Sequence, residues 1–75
     1  MSTLEVIQNI LKENADVDPS VVNMDTTLES LGLDSLDVAE LVCNVEDELN
    51  IDFGNPEQLT SVADVVNHID SILNA

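Results

Sequence analysis

Three side chains stand out as groups that could do chemistry: the hydroxyl of Ser35, the thiol of Cys43 and the imidazole of His68. A catalytic serine needs a base within reach, commonly a histidine. The one histidine of the chain is His68, which falls at the edge of an apolar stripe near the C-terminus and reads as a solvent-edge residue. No Gly-x-Ser-x-Gly surrounds any serine. Carboxylate pairs are plentiful because carboxylates are plentiful, so no pair is singled out as an acid–base couple. Asp16-x-Asp18-x-Ser20 begins like a calcium loop, which needs glycine at its sixth position and glutamate at its twelfth. Val21 and Thr27 stand there instead, so the match fails and no metal site is expected. The chain offers no catalytic constellation, and a non-enzyme is expected.

Ser35 is better placed to be modified than to react. It lies in Leu31-Gly32-Leu33-Asp34-Ser35-Leu36-Asp37. Gly32 breaks the backbone. Asp34 is a strong helix N-cap, and Asp37 three positions on can complete a capping box. A helix starting there puts Ser35 in its first turn, beside backbone N–H groups that have no partner within the helix. A phosphate esterified to that hydroxyl sits in a favourable field.

The element that carries Ser35 is predicted to run from about Ser35 to Leu49. At ~100° per residue, Val38, Leu41, Val42, Val45 and Leu49 share one face and form a core stripe. Leu36, Ala39 and Cys43 fall roughly opposite, among Glu40 and Asp47. Ahead of it, Ser2-Thr3-Leu4-Glu5 reads as a capping box. Leu4, Ile7, Ile10 and Leu11 then predict a first helix to about Asn14. Asp16 to Thr27 reads as a long ordered loop anchored by Val21, Val22 and Met24, with one helical turn over Leu28 to Leu31. Asn50, Gly54 and Pro56 break the central pattern, and Pro56 to Leu59 is at most a short third helix. Thr60 or Ser61 caps the last helix, in which Val62, Val65, Val66, Ile69, Ile72 and Leu73 recur at helical spacing. No segment alternates with period two. The expected class is all-α, an irregular four-helix bundle with a long first loop and a short third helix.

Seventy-five residues make one domain, 1–75, and an apolar content of 44% supports a small core. With Phe53 the sole aromatic, that core must be aliphatic. A single cysteine excludes an internal disulfide and suits a reducing compartment. No basic-apolar leader opens the chain, and no apolar run approaches the ~20 residues of a membrane span. A soluble, unprocessed, cytoplasmic protein is expected. Sixteen acids against Lys12 alone give a formal charge of -15. Nucleic acid and anionic membranes are poor partners for such a surface, and basic protein surfaces are good ones.

The segment Gly32-Leu33-Asp34-Ser35-Leu36 resembles the attachment motif of acyl carrier proteins, and the resemblance extends over nearly the whole chain. It implies that Ser35 bears a covalent 4′-phosphopantetheine arm delivered from coenzyme A by a phosphopantetheinyl transferase, with Asp34 and Leu36 beside the attachment point. The arm's thiol would carry acyl groups as thioesters between enzymes of fatty acid, polyketide or related lipid biosynthesis. The resemblance further implies that the Ser35–Leu49 helix is read by basic patches on those enzymes. The candidate contacts are Asp34, Leu36, Asp37, Ala39, Glu40, Cys43, Glu46 and Asp47. An acyl chain would slip between the helices, lined by Val38, Leu41, Val42, Val45, Leu49, Phe53, Leu59, Val62 and Val66. A free-standing monomer is the expected form.

Two other readings stay open on the residues. An aminoacyl or peptidyl carrier is close in chemistry, but such carriers more often have a second glycine and a histidine or other residue before the serine, where Leu33-Asp34 stands. An unmodified acidic adaptor for basic partners would share the charge but not the arm. The chain also departs from the family pattern. The segment before the last helix looks about two residues short and reads Phe53-Gly54-Asn55 where many members have an isoleucine-proline turn. The first helix nearly lacks basic residues, and Cys43 is unusual.

Overall fold

The computed structural model describes residues 2–54 and 59–74. Three α-helices account for most of them: α1 (Thr3–Asn14), α2 (Ser35–Leu49) and α3 (Val62–Leu73). Two short 3-10 turns, Pro19–Val21 and Glu29–Leu31, lie in the connection between α1 and α2. The described residues contain no strand, only an isolated antiparallel bridge between Thr27 and Ser61. The class is all-α. The short helix expected from Pro56 to Leu59 falls mainly on residues outside those described.

Each helix begins where its side chains can satisfy the first backbone N–H groups. Ser2 Oγ accepts from Glu5 N at the start of α1. Ser61 does the same for Asp64 N at α3, and the Asp64 carboxylate returns the bond to Ser61 N, a complete capping box. Thr60, the other expected cap, instead gives its N–H to Asp64 and its carbonyl to Leu28 N. The two N–H bonds that Asp64 accepts, led by that from Ser61, hold its carboxyl below the usual carboxylate range.

The apolar faces of the helices meet in one cluster. Val6, Ile7, Ile10 and Leu11 come from α1, Leu41 and Val45 from α2, and Val62, Val65, Val66 and Ile69 from α3. Val22, Leu28 and Phe53 complete it from the connections. At roughly 25 cal/mol per Å² of apolar surface removed from water, this cluster supplies most of the drive to fold against heavy charge repulsion. On α3 the stripe fades toward the chain end: Ile72 is half-buried and Leu73 is 50% exposed.

The α1–α2 connection is ordered, but by fewer anchors than its valines and methionine suggest. Val22 is fully buried, whereas Val21 and Met24 are exposed. Polar bonds replace the missing contacts. Gln8 Nε2 donates to the carbonyls of Pro19 and Val22, and Thr26 Oγ1 donates to Val21 O while accepting from Asn23 N. Val17 also packs against the core.

Candidate functional site at the N-terminus of α2

The chain reaches Ser35 over a short strut. The 3-10 turn Glu29–Leu31 ends at Gly32, whose φ of 78° is left-handed and costs a side-chain-bearing residue strain. Gly32 N donates to Glu29 O and Leu33 N to Leu28 O, closing the turn. Leu31 and Leu33 pack against the core on either side of the glycine. With its neighbours pinned inward, the next three residues, Asp34 to Leu36, stand outward and exposed.

Asp34 then starts the helix. Its Oδ1 accepts from Asp37 N at 2.9 Å, and Asp37 Oδ2 accepts from Asp34 N at 3.3 Å. Both halves of the expected capping box are therefore present. The first intrahelical bond runs from Val38 N to Asp34 O. Between these bonds, the N–H groups of Ser35 and Leu36 are the open positions of the helix start. Ser35 is the first helical residue, and its hydroxyl faces solvent.

That geometry fits a phosphate ester. The two open N–H groups and the positive end of a 15-residue helix favour an anion on the Ser35 oxygen. The Asp34 and Asp37 carboxylates are already turned onto backbone N–H groups of the cap, so neither fills that position.

The rest of α2 presents two unlike faces. Measured from Ser35, Ala39, Cys43, Leu36, Asp47 and Glu40 span an arc from about 40° to about 140°. All five are exposed, Leu36 at 74%. Leu41, Val45, Val38, Leu49 and Val42 occupy the arc from about 240° to about 340°. Leu41 and Val45 are buried, and Val38, Val42 and Leu49 are half-buried against the core. Asp37 and Asn44 form one border between these faces, beside α1. Beyond that border an open groove of about 390 Å³ runs past Asn14, Ala39, Glu40, Cys43 and Asn44. Asn14 and Asn44 escaped notice in the sequence, where an asparagine in a helix carries no spacing signal.

Glu46 forms the other border and is not a free carboxylate: its Oε2 accepts from Phe53 N at 3.0 Å. His68 also differs from its expected place at the solvent edge. It is half-buried, its Nε2 lies 2.6 Å from Phe53 O, and its ring packs on the Phe53 ring at a centroid distance of 4.5 Å. Neither bond is visible in the sequence, because Phe53 lies beyond the end of α2, where helical spacing no longer decides which side chains meet. The nine expected lining residues, Val38 through Val66, all lie in or against the one core cluster. Among the described residues no group of three or more His, Cys, Asp or Glu side chains converges as a metal site would require. No helix among them is long and apolar enough to cross a membrane.

Comparison with known proteins agrees with this geometry. The family model "phosphopantetheine attachment site" matches residues 5–69. The acyl carrier protein of Campylobacter curvus is 37% identical over 75 residues, covering 96% of this chain and 97% of that protein. That of Campylobacter concisus is 36% identical over the same coverage. That of Streptococcus thermophilus is 34% identical over 70 residues, 93% of this chain and 95% of its own. A match that runs through all three helices and both connections leaves the attachment segment in the setting its chemistry needs, and the chain belongs to the acyl carrier protein family of phosphopantetheine-bearing domains.

Proposed function

We propose that residues 1–75 act as one carrier domain whose arm is esterified to Ser35. The observation that carries this reading is the exposed Ser35 hydroxyl at the first position of α2, beside two open N–H groups and behind a closed Asp34–Asp37 cap. When attached, 4′-phosphopantetheine supplies a terminal thiol that holds acyl groups as thioesters. The protein's own part is to present and to enclose. Asp34 fixes the helix start, Leu33 anchors the strut beneath it, and Leu36 offers an apolar contact beside the attachment oxygen. The protein catalyses nothing itself.

The face of α2 bearing Asp34, Leu36, Asp37, Ala39, Glu40, Cys43 and Asp47 serves as the docking surface for the transferase and for acyl-processing enzymes with basic patches. Its carboxylates attract such patches over a distance comparable to the Debye length. Glu46 lies at the border of this face. The apolar cluster between the helices receives the acyl chain. The fold is an irregular four-helix bundle, and the protein works as a cytoplasmic monomer in fatty acid or related lipid biosynthesis.

Incubation with coenzyme A and a broad-specificity phosphopantetheinyl transferase tests the reading. The intact mass should rise by one arm, and Ser35→Ala should abolish the gain. Full modification of the Ser35→Ala protein would overturn the assignment.

A further inference from the structure

Phe53 is held by its backbone from two helices at once. From α2, Glu46 Oε2 accepts its N–H at 3.0 Å. From α3, His68 Nε2 lies 2.6 Å from its carbonyl oxygen. A carbonyl oxygen can only accept, so Nε2 carries the hydrogen. The histidine ring also covers the phenyl ring, tilted by 41°. Phe53 is 1% exposed, while Asp52 and Gly54 on either side of it are exposed. A fully buried aromatic therefore rides on an irregular surface segment.

The packing around it gives this arrangement a consequence. α1 packs directly against both α2 and α3. The backbones of α2 and α3 make no such approach to each other among the described residues. The Phe53 side chain, in the same apolar cluster as Val45 from α2 and Val62 and Val66 from α3, works as a wedge between them. Phe53 itself belongs to no helix, so its withdrawal breaks none of the hydrogen bonds within one. It vacates apolar space between α2 and α3 that an alkyl chain can fill on equal terms.

We propose that Glu46 and His68 are positioning residues that clamp the Phe53 peptide, and that release of this clamp is the step that admits an acyl chain between α2 and α3. The proposal rests on the carrier reading for its ligand, and on the two bonds alone for its mechanics. The clamp fixes how much of the ensemble has the wedge withdrawn. An acyl chain that enters must first meet that cost, so its apparent affinity for the core falls by the fraction of molecules that are open.

Amide hydrogen exchange on the unmodified protein tests the mechanics. His68→Leu keeps the apolar bulk but loses the donor, and it does not touch the Phe53 N–H directly. It should speed exchange at Phe53 by about tenfold or more, the worth of one buried hydrogen bond, with the amides of Ile7 and Ile10 in α1 unchanged. His68→Gln, which restores an N–H donor, should return the Phe53 rate toward wild type. Equal acceleration at Phe53, Ile7 and Ile10 would mean that the histidine only stabilises the fold, and would overturn the clamp. So would an unchanged Phe53 rate.

Loading tests the ligand. Attaching an octanoyl group to the arm should raise the thermal midpoint of the His68→Leu protein by more than that of wild type, because the variant no longer charges the chain for opening. Equal gains would overturn the proposed route. If no arm can be attached at all, the carrier reading and the acyl route fall together, while the exchange result still decides the clamp.

Discussion

The two ends of α2 use the same chemical group for opposite purposes. At the N-terminus, Asp34 and Asp37 accept backbone N–H groups of their own helix, and what they leave behind, Ser35 and Leu36, stays in solvent. At the C-terminus, Glu46 accepts the N–H of Phe53, seven positions on, and draws an aromatic side chain out of solvent. The dipole of the helix makes the first arrangement favourable and the second costly. Acids belong near the positive N-terminus, whereas Glu46, Asp47 and Glu48 sit near the negative end with no base in the last turn. Glu46 is compensated by its bond to Phe53, and Asp47 by its exposure to water. A carboxylate on a helix end thus either opens a site or closes a core, according to whose N–H it takes.

The sharpest way to break this contrast is to cut one apolar side chain at each end. Phe53→Ala should cost about 3–5 kcal/mol, the usual penalty for removing a buried phenyl ring. A domain of this length has roughly 4–11 kcal/mol in all, so urea or thermal melts should show the variant largely destabilised. Leu36→Ala should stay within about 0.5 kcal/mol of wild type, because its side chain is 74% exposed. Its loss should appear only in transfer of the arm and in partner binding. A stability loss for Leu36→Ala comparable to that of Phe53→Ala would erase the distinction between the ends.

The cap at the open end comes next in size. Asp34→Ala should cost about 1 kcal/mol in chemical denaturation, while Asp34→Asn, which keeps an accepting oxygen, should recover most of it. The α3 cap is the control, built alike from Ser61 and Asp64 but far in sequence from Ser35. There the folded-state pKa of Asp64 is lowered, chiefly by the Ser61 N–H. A depressed carboxyl pKa contributes stability that is fully present above the unfolded value and is lost as pH falls through the lowered folded value. Acid titration of Asp64→Asn should therefore converge on wild type below that lowered value and fall beneath it above the ordinary carboxylate range. Parallel curves at all pH values would show that the cap does not act through charge.

Much of this architecture is legible in the chain because its determinants are local. Asp34 with Asp37 marks the start of α2, Thr60 or Ser61 brackets that of α3 within one position, and Asn50, one of the expected breakers, ends α2. The wheel separates Leu36, Ala39 and Cys43 from the Val38–Leu49 stripe without help from structure. The errors fall where a side chain's fate depends on a distant partner. Val21, Val22 and Met24 look alike as anchors, but only Val22 is buried, because the Gln8 side chain fixes the carbonyls of Pro19 and Val22. Glu46 and His68 sit at the borders of their stripes, where periodicity does not decide between solvent and contact. What decides is a loop peptide that arrives between two helices, and no spacing rule encodes that.

Charge on the exposed face should have a smaller effect, and one on kinetics. Glu40→Gln and Asp47→Asn remove carboxylates from the arc that holds Leu36, both exposed. Each should slow association with a basic partner enzyme a few-fold at low salt and leave dissociation nearly unchanged, with the difference shrinking as salt rises. Stability should hold or improve slightly as self-repulsion falls. Stopped-flow binding at two ionic strengths reads this directly. Glu46→Gln keeps an accepting oxygen for Phe53 and should change association less, because its carboxylate faces the loop. An equal effect of all three would group Glu46 with the exposed face rather than with the closed end.

The smallest expected effect is at Cys43, midway between the ends. Lone thiols are among the most often buried side chains, so burial would be the ordinary outcome. Here the helical wheel sets Cys43 about 20° from Leu36 and away from the Val38–Val42–Val45 stripe. The structure agrees: Cys43 is free and exposed, at the groove shared with Asn14, Ala39, Glu40 and Asn44. A neutral thiol reagent should label it in the folded protein without denaturant. An anionic reagent should be slower, since it approaches a surface of formal charge -15, and added salt should narrow the gap. Cys43→Ser should fold, accept the arm and hold a thioester like the wild type, because the acyl-bearing thiol belongs to the arm. Should labelling require denaturant, Cys43 would lie on the closed side of α2, and the division of that helix into an exposed face and a core face would have to be redrawn.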